Sequence, residues 1–218
     1  MRDEGAPAAA GIRQAWLGDA VVFLSAVPAD LRRRLARAPR PPEIRDVVAG
    51  MRGVALYLAD PAVPAEAVER FWRSAAEGGD APPSAAPAAH RFAVRYGGPG
   101  TDGEELSERL GMPFERIAAL HAGAVYTVEL TGFAPGFAYL GELPPALRLP
   151  RRKTPRQRVE AGAVAMAHRY TGIYPRAAAG GWWLLGHADA AAAESLWSWE
   201  RDRPGLLALG DRVEFYSL

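Results

Sequence analysis

The chain has 218 residues, 49% of them hydrophobic, enough to bury one large core or two small ones. Its 26 basic and 25 acidic residues leave a formal net charge of +1, so no global field draws in nucleic acid or an anionic membrane. The absence of cysteine excludes disulfides, thiolate nucleophiles and thiolate metal sites, and fits a reducing compartment.

The N-terminal MRDEGAPAAAG is acidic early and lacks an apolar core, so it does not read as a signal peptide. No run approaches the roughly 18 apolar residues of a membrane span, and the expected location is cytoplasmic. Short β-prone runs follow at Ala20 to Ser25 and Val54 to Leu58, while Asp30 to Ala38 and Pro64 to Ala76 have helical composition. Pro64 suits a first helical turn, and Val68, Phe71 and Trp72 recur at helical spacing. Residues 1–80 therefore read as a small α+β domain. The Gly-, Pro-, Ser- and Ala-rich segment Gly78 to Ala89 reads as a linker, with its boundaries placed at 81–89.

From residue 90 to 218 the texture changes to short apolar runs broken by glycine and proline: Phe92 to Tyr96, Val125 to Leu130, Val164 to Ala167, Trp182 to Leu185 and Val213 to Tyr216. That spacing favours an antiparallel barrel or sandwich. Thr101 or Asp102 can cap a helix that carries Glu104 and Glu105 in its first turn and ends at Gly111, and a second short helix is expected over Pro113 to His121. A glycine-aspartate turn at Gly210-Asp211 feeds a final strand.

Three stretches stand out as candidate sites. Thr131 to Leu143, TGFAPGFAYLGEL, alternates glycine and proline with Phe133, Phe137, Tyr139 and Leu140, which reads as a shaped loop rather than a regular strand. The plainer reading packs its aromatics in the core. Arg148 to Arg158 holds five arginines and one lysine in eleven residues, stiffened by Pro150 and Pro155. It is either an anion-binding edge or a solvated basic loop. Tyr170 to Trp183 again sets glycines beside aromatics, and such glycine pairs serve either to aim amides at an oxyanion or as hairpin turns. His90, His121, His168 and His187 form no metal-binding spacing. His121 is either a general base at a pocket rim or an ordinary satisfied histidine. There is no Walker-type or dinucleotide phosphate loop and no G-x-S-x-G elbow.

Across these stretches the chain resembles the family of the B-type subunit of bacterial 5-oxoprolinase, also called allophanate hydrolase subunit 1, whose C-terminal half belongs with the carboxyltransferase-type domains of urea carboxylase. The residues that carry the resemblance are Tyr96-Gly97-Gly98, Leu120-His121, Gly132-Phe133-Ala134-Pro135-Gly136-Phe137 and Tyr139-Leu140-Gly141. They continue with Pro150-Arg151, Thr154-Pro155-Arg156, Ala161-Gly162, Thr171-Gly172-Ile173-Tyr174-Pro175, Gly180-Gly181-Trp182 and Gly210-Asp211-Arg212-Val213. The chain departs from the family pattern at Gly98-Pro99, Glu160 to Ala163, Ala167 to Tyr170 and Gly186 to Ala188.

The resemblance implies a small α+β domain followed by a cyclophilin-like antiparallel β-barrel. It also implies a subunit of an ATP-dependent amidohydrolase that opens 5-oxoproline to glutamate. ATP, with Mg carried by the complex, would be the co-substrate. The partners would be a sister carboxyltransferase-type subunit resembling the C-type subunit of 5-oxoprolinase and a third subunit, with no nucleic acid and no membrane. Transferred motif by motif, the site comprises His121 as the catalytic candidate and a binding set of Gly132, Phe133, Pro135, Gly136, Phe137, Tyr139, Arg151, Thr154, Arg156, Thr171, Tyr174, Gly180, Gly181 and Trp182. One branch of the family resembles an inhibitor of a sporulation histidine kinase, which leaves a non-catalytic binding module as the alternative. An allophanate- or urea-related hydrolase subunit is a further one.

Overall fold

A computed structural model describes residues 11–77 and 87–218, which form two compact units, the first within 11–77 and the second over 87–218. The linker expected at 81–89 falls mostly outside the described residues, and Ala89, assigned to it, already begins a strand.

In the first unit the chain runs β1 (Arg13–Trp16), β2 (Val21–Ser25), α1 (Ala29–Arg37), β3 (Ile44–Gly50), β4 (Gly53–Leu58) and α2 (Ala65–Ala76). The strands form an antiparallel sheet in the order β1-β2-β4-β3. Alternation buries Val22 and Leu24 of β2 and Val54, Leu56 and Leu58 of β4. Leu31 and Leu35 of α1 and Val68 and Trp72 of α2, each pair one helical turn apart, complete this core. Pro64, expected in the first turn, is the N-cap one residue ahead of α2. Sequence patterning missed β1 and β3. All of β1 is exposed at a sheet edge, so it carries no alternation, and its register comes from pairing with β2.

The second unit is built on a closed barrel. Its elements are β5 (Ala89–Tyr96), α3 (Gly103–Leu110), α4 (Phe114–Ala122), β6 (Val125–Thr131), β7 (Ala138–Gly141), β8 (Arg156–Val159), β9 (Ala163–Ala167), β10 (Tyr170–Ile173), β11 (Ala178–Gly180), β12 (Trp183–Ala188), α5 (Ala190–Ser195) and β13 (Arg212–Ser217). Seven strands close in the order β10-β7-β6-β13-β5-β12-β9, while β8 and β11 pair as a separate ribbon. The barrel is not wholly antiparallel: β13 runs parallel to β5, from Arg212 opposite Ala89 to Ser217 opposite Val94. The first and last strands of the unit meet there, which closes the sheet. Asp211 secures this seam, accepting from the backbone N–H groups of Ala88 and Ala208.

Strands β9 and β12 are buried on both faces. Val164, Met166, Trp183 and Leu185 join the main core with Val94, Tyr126, Val128 and Phe215. Their alternating neighbours Ala163, Ala165, Ala167, Trp182 and Leu184 join a second core with Phe137, Val159 and Tyr174. This two-sided burial explains why these strands read as continuous apolar runs. Residues 138–141, expected in a shaped loop, form barrel strand β7 instead, because pairing with β6 and β10 outweighs the local glycines. Helices α3 and α4 form where expected, and α3 ends in left-handed Gly111.

Candidate functional site

The second core presents the aromatic residues of the first and third candidate stretches to one another. Phe137 makes edge contacts with Phe133, Tyr139, Tyr174 and Trp182 at ring separations of 5.1 to 5.5 Å. Phe133 also meets Tyr174 at 5.9 Å, and Tyr139 meets Trp182 at 5.6 Å. Phe137, Tyr174 and Trp182 are buried, whereas Phe133 is 57% exposed. The cluster is therefore core at its base and open at one ring. Phe133 holds a left-handed backbone (φ 73°), a conformation that favours glycine, between Gly132 and Gly136, which are also at positive φ. A Cβ at Gly136 would lie 2.9 Å from the Leu196 carbonyl, so this tight loop accepts no side chain there. Gly132 is exposed, and so is Gly136's neighbour Ala134 in part. Pro135 is also exposed.

The basic stretch is not a free loop. Arg148 Nε donates to the Leu143 carbonyl at 2.9 Å, Trp183 Nε1 to the Pro150 carbonyl at 2.7 Å, and the Arg152 N–H to the Gly181 carbonyl at 2.8 Å. Its charges are organised by Asp102, whose side chain is only 5% exposed. One carboxylate oxygen accepts from Arg152 at 3.0 Å and from Arg156, while the other accepts the Leu184 N–H at 2.7 Å. Glu105, on the first turn of α3, takes a second bond from Arg152 and two from Arg109, which hold its carboxyl below the usual range. The guanidinium groups of Arg109 and Arg152 stack on Trp183 at 4.9 and 4.7 Å. Arg151, Lys153 and Thr154 lie toward solvent.

Tyr174 links the two groups. Its hydroxyl lies over Gly180, where a Cβ would overlap it, and Gly180 stands opposite Arg156 in the β8–β11 ribbon. Burial pushes the Tyr174 phenol above its usual range, and the charges of Arg151 and Arg156 oppose that shift. Gly181 packs beside Pro155.

His121 is elsewhere. It is fully buried in the barrel core, not at a rim, and stacks on Phe215 at 4.7 Å. Tyr96 Oη lies 2.7 Å from its Nδ1 and Thr171 Oγ1 2.8 Å from its Nε2. Thr171 gives its own proton to the Ala165 carbonyl at 2.9 Å, so Nε2 donates to Thr171 and Nδ1 accepts from Tyr96. Both ring nitrogens are thus engaged, and burial pushes the histidine down to about 3. Thr171 belongs to this interior relay, whereas its strand neighbour Tyr170 meets Tyr139 of the aromatic cluster.

Sequence reasoning thus grouped residues that the fold separates, and it missed Asp102, Glu105, Arg152 and Trp183. Asp102 reads as a helix cap, and it does precede α3, but its side chain makes no capping bond. The available signal was the proximity of two carboxylates to a helix start in a chain with an arginine-rich loop.

Comparison with known proteins agrees on the family. Residues 24–207 match the carboxyltransferase domain, subdomain C and D. The chain is 37% identical over 179 residues to the B-type subunit of 5-oxoprolinase from Escherichia coli O157:H7, covering 80% of this chain and 78% of that protein. The crystal structure of TTHA0988 aligns with a TM-score of 0.74 at 36% identity, covering 91% of this chain and 39% of TTHA0988, so this chain spans well under half of that protein. The urea amidolyase of K. lactis aligns with a TM-score of 0.69 at 15% identity, over 95% of this chain and 15% of that one, a likeness of fold alone.

Proposed function

We propose, from the premise that this chain belongs to the carboxyltransferase-domain family of the 5-oxoprolinase B-type subunit, that it is one subunit of an ATP-driven lactam hydrolase opening 5-oxoproline to glutamate. The observation that carries the reading is the 37% identity over most of both chains to a protein of that name. The reading includes a sister carboxyltransferase-type subunit, which the relative's own designation as one subunit of an enzyme favours.

A lactam carbonyl is stabilised by amide resonance, so water alone attacks it slowly. ATP would supply a phosphoryl group to the carbonyl oxygen; water then adds at carbon, the ring C–N bond breaks with nitrogen taking a proton to leave an acyl phosphate, and a second water displaces phosphate as the carboxylate forms. The work assigned to this chain is binding and charge stabilisation. Its residues fit an anionic ligand: Arg151 is exposed, Arg156 is fixed by Asp102, and both charges act on the Tyr174 phenol. The open ring of Phe133 offers an apolar wall beside them. His121, buried and doubly bonded, serves the barrel interior in this reading and moves no proton.

Assembly with a sister subunit and release of glutamate from 5-oxoproline and ATP test the reading. Arg151→Gln in that assembly is expected to lower kcat/KM by about tenfold or more, the scale of one charge-assisted contact. An unchanged kcat/KM would remove Arg151 from the site.

A further inference from the structure

The Tyr174 ring is buried, with 2% of the residue exposed, and its hydroxyl reaches solvent without a hydrogen bond to a described residue. The ribbon beside it holds a donor that is buried outright: Arg156 gives Nη2 to Asp102, and its Nη1 has no partner among the described residues. Such a buried, unpartnered donor is costly and asks for an explanation. The two are brought together by Gly180, which stands opposite Arg156 and leaves room for the Tyr174 hydroxyl where any side chain would overlap it. Arg151, exposed and without an ion pair to a described residue, adds its charge to that of Arg156 at the same phenol.

Asp102 decides where Arg156 points. Its carboxylate is anchored by the Leu184 N–H on β12 and gripped from the other side by Arg152, so it cannot follow a moving guanidinium. Tethering one amino group of a planar guanidinium fixes the direction of the rest of the fork.

We infer that Asp102 is the positioning residue of a seat for an anionic oxygen group, carboxylate or phosphoryl, in which the Tyr174 hydroxyl and Arg156 donate and Arg151 closes from the exposed side. The inference rests on the lactam-hydrolase reading only for the source of that oxygen, the carboxylate of 5-oxoproline or a phosphate of the nucleotide.

The test is titration of the purified full chain with 5-oxoproline and, separately, with pyrophosphate, followed through the fluorescence of Trp182 and Trp183. Binding of either probe is expected, and which one binds identifies the source. Tyr174→Phe should weaken that binding by about tenfold, the scale of one hydrogen bond to a charged group, with no change in the thermal midpoint. Asp102→Asn, which still accepts from the Leu184 N–H but carries no charge, should weaken it at least as much. The double variant should lose less than the product of the two single losses, because both act through one seat. Failure of both probes to bind, or equal binding in wild type and Tyr174→Phe, would overturn the inference; if Asp102→Asn does not fold, Tyr174→Phe decides alone. Pyrophosphate binding with these losses, beside an assembly that makes no glutamate, would leave the seat standing and remove the lactam reading.

Discussion

His121 carries a residue-scale consequence of burial. In the unfolded chain it titrates near its ordinary value of 6.5, and in the fold it is pushed down to about 3. Between those values the unfolded chain binds a proton that the folded chain refuses, so stability is complete above the unfolded value and falls as pH falls below it. The slope approaches about 1.4 kcal/mol per pH unit. Thermal unfolding followed from about pH 7.5 down to about 4.5 should therefore show wild type losing more stability than His121→Gln, whose side chain does not titrate. Parallel losses in the two proteins would contradict a neutral, buried imidazole. The position of His121 at the end of a short helix was legible in the sequence, but its depth was not. Depth depends on Tyr96, Thr171 and Phe215, which reach it from three strands far apart in the chain. Asp102 was hidden for the same reason. Its partners lie 50, 54 and 82 residues away, and nothing in the local pattern separates it from an ordinary cap.

At the scale of elements, composition and periodicity recovered α1, α2, β2, β4 and the apolar barrel strands, while cap and stop residues recovered α3 and α4. Periodicity failed at β8, β10 and β11, which are three or four residues long, and at β7, where glycines mask a strand fixed by its neighbours. The parallel pairing of β13 with β5 joins residues more than a hundred positions apart and leaves no mark on either strand's composition. The small residues of β9 have a clear physical reason. Ala163, Ala165 and Ala167 are at most 1% exposed beneath the aromatic cluster, so that face has no room for larger side chains. Ala165→Leu is expected to destabilise the barrel by about 1–3 kcal/mol through overpacking, measured by chemical denaturation. A neutral effect would mean that the second core is loosely packed and the aromatic cluster is free to rearrange.

At the scale of the whole molecule, each unit has its own core, and the barrel closes on itself through the β5–β13 seam. Residues 87–218 produced alone should therefore unfold in a single cooperative transition seen alike by far-ultraviolet and near-ultraviolet circular dichroism. Loss of the near-ultraviolet signal would show that the barrel depends on the first unit. Among the described residues no helix is long and apolar enough to cross a membrane. The family follows from residues spread over most of the chain, whereas the charge arrangement around Asp102 emerges only once α3, the basic stretch and β12 are assembled. The most direct test of the account is ATP hydrolysis by this chain, by a sister carboxyltransferase-type subunit and a third subunit, and by their assembled mixture, each with and without 5-oxoproline. Hydrolysis that rises with 5-oxoproline only in the assembly is the predicted result. An assembled complex whose ATP hydrolysis ignores 5-oxoproline would contradict it.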